Sequence, residues 1–73
     1  MAADEEVKTK LKAARIAAGL TQKELATKAE IKLNTLKALE RGSRKINKTA
    51  AIIVHRLAFN VGKQVYEILE AED

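Results

Sequence analysis

The chain has 73 residues, no cysteine, no proline and a formal net charge of +4. That length holds one domain, near the lower limit at which an apolar core alone stabilises a fold, and the missing thiols exclude disulfide staples and thiolate metal sites. No apolar run approaches the roughly 20 residues of a membrane span, and residues 1–6 are acidic rather than leader-like, so the expectation is a single domain over 1–73 in the cytoplasm.

The pattern is helical throughout, with no alternating strand signal and many alanines, leucines, lysines and glutamates. A first helix is expected over roughly 4–18, with Val7, Leu11, Ala14 and Ala18 on its apolar face and Ile16 outside that stripe. Gly19 then accepts the left-handed conformation that ends a helix. Thr21 and Glu24 form a capping box, so a second helix starts at Gln22, with Leu20 and Leu25 spaced as a hydrophobic staple. Glu30, Ile31 and Lys32 are too few for a free loop before a third helix, Leu33 to Arg41, which Gly42 terminates. Two helices joined by so short a turn give the arithmetic of a helix-turn-helix over about 21–41. Leu25, Ala26, Ala29, Ile31, Leu36 and Leu39 form its seam, which leaves Lys32, Leu33, Asn34, Lys37 and Ala38 on the outer face.

A fourth helix is expected over about 48–60, capped by Asn47, with Ala50, Val54, Leu57, Ala58 and Val61 inward and Gly62 as its stop. A final helix over about 65–71 places Val65, Ile68 and Leu69 against the others. Charge follows the same division. Between residues 31 and 63 stand eight cations and one acid, Glu40, whereas acids gather in 4–6 and 67–73. A basic centre between acidic ends is what a phosphate-facing surface requires; the plain alternative is a solvated mixed-charge surface.

Leu20-Thr21-Gln22, Leu25-Ala26, Thr35-Leu36, Leu39-Glu40 and Gly42 together resemble the Cro and phage-repressor type of helix-turn-helix domain, also called the xenobiotic-response-element family. The likeness extends through Ile46-Asn47-Lys48 and Leu57-Ala58 to Leu69, and so covers roughly 7–70. It implies a compact all-α, five-helix domain that binds double-stranded DNA, and it puts base contacts at Lys32, Leu33, Asn34, Lys37 and Ala38. Geometry agrees: a helix in the major groove presents its N-terminal turn to base edges, where Asn34 can pair with adenine, Lys32 and Lys37 can donate to guanine, and Leu33 can meet a thymine methyl. For the lysines the alternative is an exposed surface touching a phosphate at most, and for Asn34 a local cap.

Gln22 stands at the first position of its helix, where free N–H groups and the macrodipole favour an anion, and the family's equivalent glutamine clamps a phosphate. With Thr21, Thr35, Arg41, Arg44, Lys45 and Lys48 it makes up the expected phosphate-binding set, which positions the protein rather than reads sequence. Arg15, on the inner side of the first helix, and Glu40, just past Leu39, are expected to be partly buried and therefore paired; in similar domains such a pair forms a salt bridge.

Three residues depart from the family pattern. Glu30 replaces the turn glycine, Lys32 a capping serine or threonine, and Gln64 a preferred cap of the final helix. Ile52, His55 and Phe59 recur on the side of the fourth helix opposite its core stripe, with Tyr66 near in sequence. They are either scattered surface apolar residues or a self-association patch. Two-fold dimers are the usual way such domains read palindromic sites.

Catalysis fits poorly. With one histidine, His55, one serine, Ser43, and no cysteine, neither a nucleophile-base pair nor a His-rich metal site can be assembled, and a non-enzyme without metal or cofactor is expected. The leading function is a sequence-specific DNA-binding transcriptional regulator, a repressor acting by occupancy of its operator. The competing function is a protein-interaction module, such as an antitoxin or adaptor on the same fold.

Overall fold

Helix boundaries in this chain are set by capping groups. In the computed structural model, which describes residues 7–71, the first helix, α1, is Lys10–Ala17. Thr9 is extended, and its hydroxyl accepts the Lys12 N–H at 3.2 Å. That cap starts the helix later than the expected 4–18, leaving Val7 ahead of it and 51% exposed. Asp4, Glu5 and Glu6 lie outside the described residues. Leu11 and Ala14 are buried as expected, whereas Ala18 is exposed because the chain turns away at Gly19, φ 75°. The N–H groups of Gly19 and Leu20 close this end on the carbonyls of Ile16 and Arg15, at 3.0 and 3.2 Å.

The second helix, α2, is Gln22–Ala29, and both halves of its capping box are made: Glu24 N–H to Thr21 Oγ1 at 3.0 Å, and Thr21 N–H to Glu24 Oε1 at 2.8 Å. Hydrogen bonds from the Thr21 backbone, then from its side chain, hold the Glu24 carboxyl below the ordinary carboxylate value. This contribution to stability is present above the unfolded-state value and is lost as pH falls through the lower folded one. At the far end Glu30 carries φ 59° and ψ 45°, and the Ile31 N–H reaches the Ala26 carbonyl at 3.0 Å. A Cβ in the left-handed region costs about 1 kcal/mol. Glu30→Gly should accordingly raise stability by about 1 kcal/mol, measurable as a higher urea midpoint at unchanged slope; a lower midpoint would mean that the glutamate side chain contributes more than its backbone costs.

The third helix, α3, runs Leu33–Arg41 and ends at Gly42, φ 89°. Lys32 occupies its cap position and makes no side-chain capping bond. Beyond it the structure departs from the expected helices. Ile46–Lys48 forms a 3₁₀ turn, Thr49 returns to extended backbone, and α4 spans Ala51–Asn60 with Ala50 as a cap that has no side-chain bond. Asn47 therefore does not cap α4, and Ala50, expected inward, is exposed. Val54, Leu57, Ala58 and Val61 are buried as the periodicity required.

No final α-helix forms either. Val65–Glu67 is a 3₁₀ turn, at whose start the Gln64 N–H donates to the Glu67 carboxylate at 2.8 Å. The backbone of Glu70 is engaged by the Asn47 side chain, which draws the end of the segment away from a helical path. The expected five helices are thus four α-helices and two 3₁₀ turns among the described residues, all-α as predicted.

The core is one cluster in which Leu11, Leu25, Leu36, Leu39, Leu57 and Ile68 are fully buried. α2 lies against both α3 and α4, α1 against α3, and the second 3₁₀ turn against α4. Ile46, absent from the expected core, is 4% exposed and anchors the loop after α3. Among the described residues no helix is long and apolar enough to cross a membrane.

Candidate nucleic-acid interface

Leu36, Leu39 and Glu40 fix the inner side of α3, all buried to 2% exposure or less. At helical spacing the opposite side must then carry Asn34, Lys37 and Arg41, three and four residues apart, and all three are exposed. Lys32, just ahead of the helix, is exposed as well. Leu33, Thr35 and Ala38 occupy the flanks and are half-buried. Leu33 packs against the core cluster, a correction to its expected place on the outer face: Leu33 and Leu36 are three residues apart, nearly one full turn, so both lean toward the same apolar interior. Arg41, grouped by sequence with the backbone-clamping cations, continues the Asn34–Lys37 stripe instead; its Nε donates to Ser43 Oγ at 3.3 Å.

Behind the outward stripe sits a polar network that sets the pose of α3. Arg15 Nε donates to Glu40 Oε2 at 2.7 Å, and Arg15 Nη1 to the Leu20 carbonyl at 2.8 Å. Gln22 Nε2 donates to Glu40 Oε1 at 3.0 Å. Both oxygens of a carboxylate with 2% side-chain exposure are thereby satisfied, one by α1 and one by α2. Gln22, expected to hold a phosphate, is half-buried and directs its Nε2 toward Glu40, whose buried carboxylate needs a second donor. Thr21 Oγ1 is engaged in the capping box.

One more contact was not read from sequence. The Thr9 hydroxyl donates to the Glu40 carbonyl at 3.0 Å, so the cap of α1 also closes the C-terminal end of α3. The signal for Thr9 as a cap was present, a threonine directly before an amphipathic run, but its reach to Glu40 spans 31 residues and leaves no sequence trace.

Arg44, Lys45 and Lys48 are exposed together on the loop between α3 and α4. An exposed polar stripe on a short helix, a cationic loop following it and a buried polar network behind the helix are the parts expected of a helix pair that reads DNA. The helix-turn-helix family model matches residues 11–57, well over half of the chain, from α1 into α4. The chain belongs to the Cro/C1-type helix-turn-helix family. No curated protein and no solved structure gave a match. Membership in this helix-turn-helix family implies a DNA-binding transcription regulator.

Along α4 and the second 3₁₀ turn, His55, Phe59 and Tyr66 line one shallow groove with Val65 and Leu69. Phe59 is 83% and Tyr66 74% exposed. Ile52, 59% exposed, continues the α4 stripe outside that groove.

Proposed function

We propose that the protein is a sequence-specific repressor that occupies its operator as a homodimer, with α3 of each copy in the major groove. The observation that carries this reading is the exposed Asn34–Lys37–Arg41 stripe on a helix whose opposite side is immobilised by Leu36, Leu39 and the Glu40 network. Asn34, one turn ahead of Lys37, has the chemistry for adenine, and Lys37 and Lys32 for guanine. Arg44, Lys45 and Lys48 contact phosphates. Such a chain needs no catalytic group, metal or cofactor, and it acts in the cytoplasm by steric exclusion.

Selected-site enrichment with the purified chain tests this. A palindromic motif with half-sites about 34 to 36 Å apart is expected; unenriched DNA together with a tightly co-purifying protein would instead support an antitoxin or adaptor role.

Two substitutions divide the reading into parts. Arg44→Ala should weaken binding to the selected site and to random duplex alike, and make the slope of log K against log salt shallower by about one. An unchanged slope removes Arg44 from the phosphate contacts. Phe59→Glu places a charge in the exposed groove and should convert dimer to monomer in sedimentation, with affinity for the palindrome falling by about 100-fold while a half-site is bound as before. A dimer that persists in this variant puts the self-association surface elsewhere.

A further inference from the structure

The loop after α3 has to hold Arg44, Lys45 and Lys48 close together against their mutual repulsion, which acts over about 8 to 10 Å at physiological salt. Ile46 anchors it by burial, but a single apolar contact fixes neither the direction of the loop nor the register of its cations. Local bonds shape its ends, from the Arg44 N–H to the Ala38 carbonyl at 3.2 Å and from the Thr49 hydroxyl to the Lys45 carbonyl at 3.0 Å; Asn47 ties it to the rest of the fold. Its amide donates from Nδ2 to the Glu70 carbonyl at 2.7 Å and accepts the Glu70 N–H on Oδ1 at 2.9 Å, pairing with backbone 23 residues away as another peptide group would. The Glu70 carboxylate in turn accepts the Lys10 N–H at the start of α1, and Thr9, one residue earlier, donates to the carbonyl of Glu40 at the end of α3. A closed circuit of polar contacts runs from the end of α3 through α1 and the C-terminal segment back to the loop between Lys45 and Lys48.

We infer that Asn47 is a positioning residue for phosphate contact: its clasp on Glu70 pre-orders the Arg44–Lys48 loop so that DNA does not have to order it on binding. The inference rests on the DNA-binding reading above and goes beyond it, since Asn47 itself faces the protein and need touch no DNA. A purely local stabilising role would have Asn47 capping α4, and it does not; α4 starts from Ala50 with no side-chain bond. Pre-ordering lowers the entropic cost of association and therefore acts on affinity without changing which bases are read.

The test compares Asn47→Ala with the unaltered chain on random-sequence duplex and on the selected site, in salt titrations below the unfolding transition. Expected is a loss of about tenfold on both DNAs, with a salt slope shallower by about one although no cation has been removed. A folded variant that keeps the native slope and affinity overturns the inference, as does a loss confined to the selected site, which would act through base reading. Should the variant fail to fold, amide exchange on the unaltered chain decides: the Glu70 N–H is expected to be protected and to become more so on adding random duplex, and exchange at the unprotected rate overturns the clasp. An unaltered chain that binds no duplex at any salt brings down the DNA reading, with Glu70 protection intact; an unaltered chain that binds no better than Asn47→Ala brings down the positioning role alone.

Discussion

Glu40→Ala is expected to lower the unfolding free energy by about 3 to 5 kcal/mol, because it strands the Arg15 guanidinium in a buried site and removes the acceptor of Gln22. For a small domain with a total stability of order 5 kcal/mol, that brings the transition close to ambient conditions. Urea unfolding followed by circular dichroism measures it. The double variant Arg15→Met with Glu40→Leu, which leaves no unpaired charge, should recover at least half of the loss. If the double variant is as unstable as the single one, the loss comes from packing around α3 and the pair itself carries little. The same network holds α1, α2 and α3 in one arrangement, so the single variant should also lose DNA affinity in proportion to its unfolded fraction.

Asn34→Ala should leave stability within about 0.5 kcal/mol, since the side chain is exposed and away from the core. On the selected site it should cost about 1 to 3 kcal/mol, a loss of roughly 5- to 150-fold, with little change on random duplex. Binding titrations on both DNAs at one salt concentration separate the two. Equal losses on both would make Asn34 a backbone contact or a structural residue rather than a base reader, and would shift the specific contacts toward Lys32 and Lys37. Arg41, on the same outward stripe, then becomes the next position to substitute.

The basic centre, the capping box at Thr21 and Glu24, the left-handed end at Gly19 and the stop at Gly42 are all legible in the amino-acid order. Each depends on groups within four residues of one another or on helical periodicity, and those short-range rules hold whatever the rest of the chain does. The same reasoning extended α1 to residue 4, started α4 at residue 48 and drew a helix over 65–71; all three helices proved shorter or absent. The first starts late because Thr9 caps it on the Lys12 N–H, and at the other two a distant partner, the Glu70 backbone, competed with local propensity for Asn47. Gln22 belongs with them, since its inward turn is set by Glu40, 18 residues on. What the order of residues settled by itself was the helix-turn-helix and the exposure of Lys32, Asn34 and Lys37. Which polar groups brace α3 was decided only when the chain had closed on itself, because burial makes each unsatisfied polar atom costly enough to choose its partner across the whole fold.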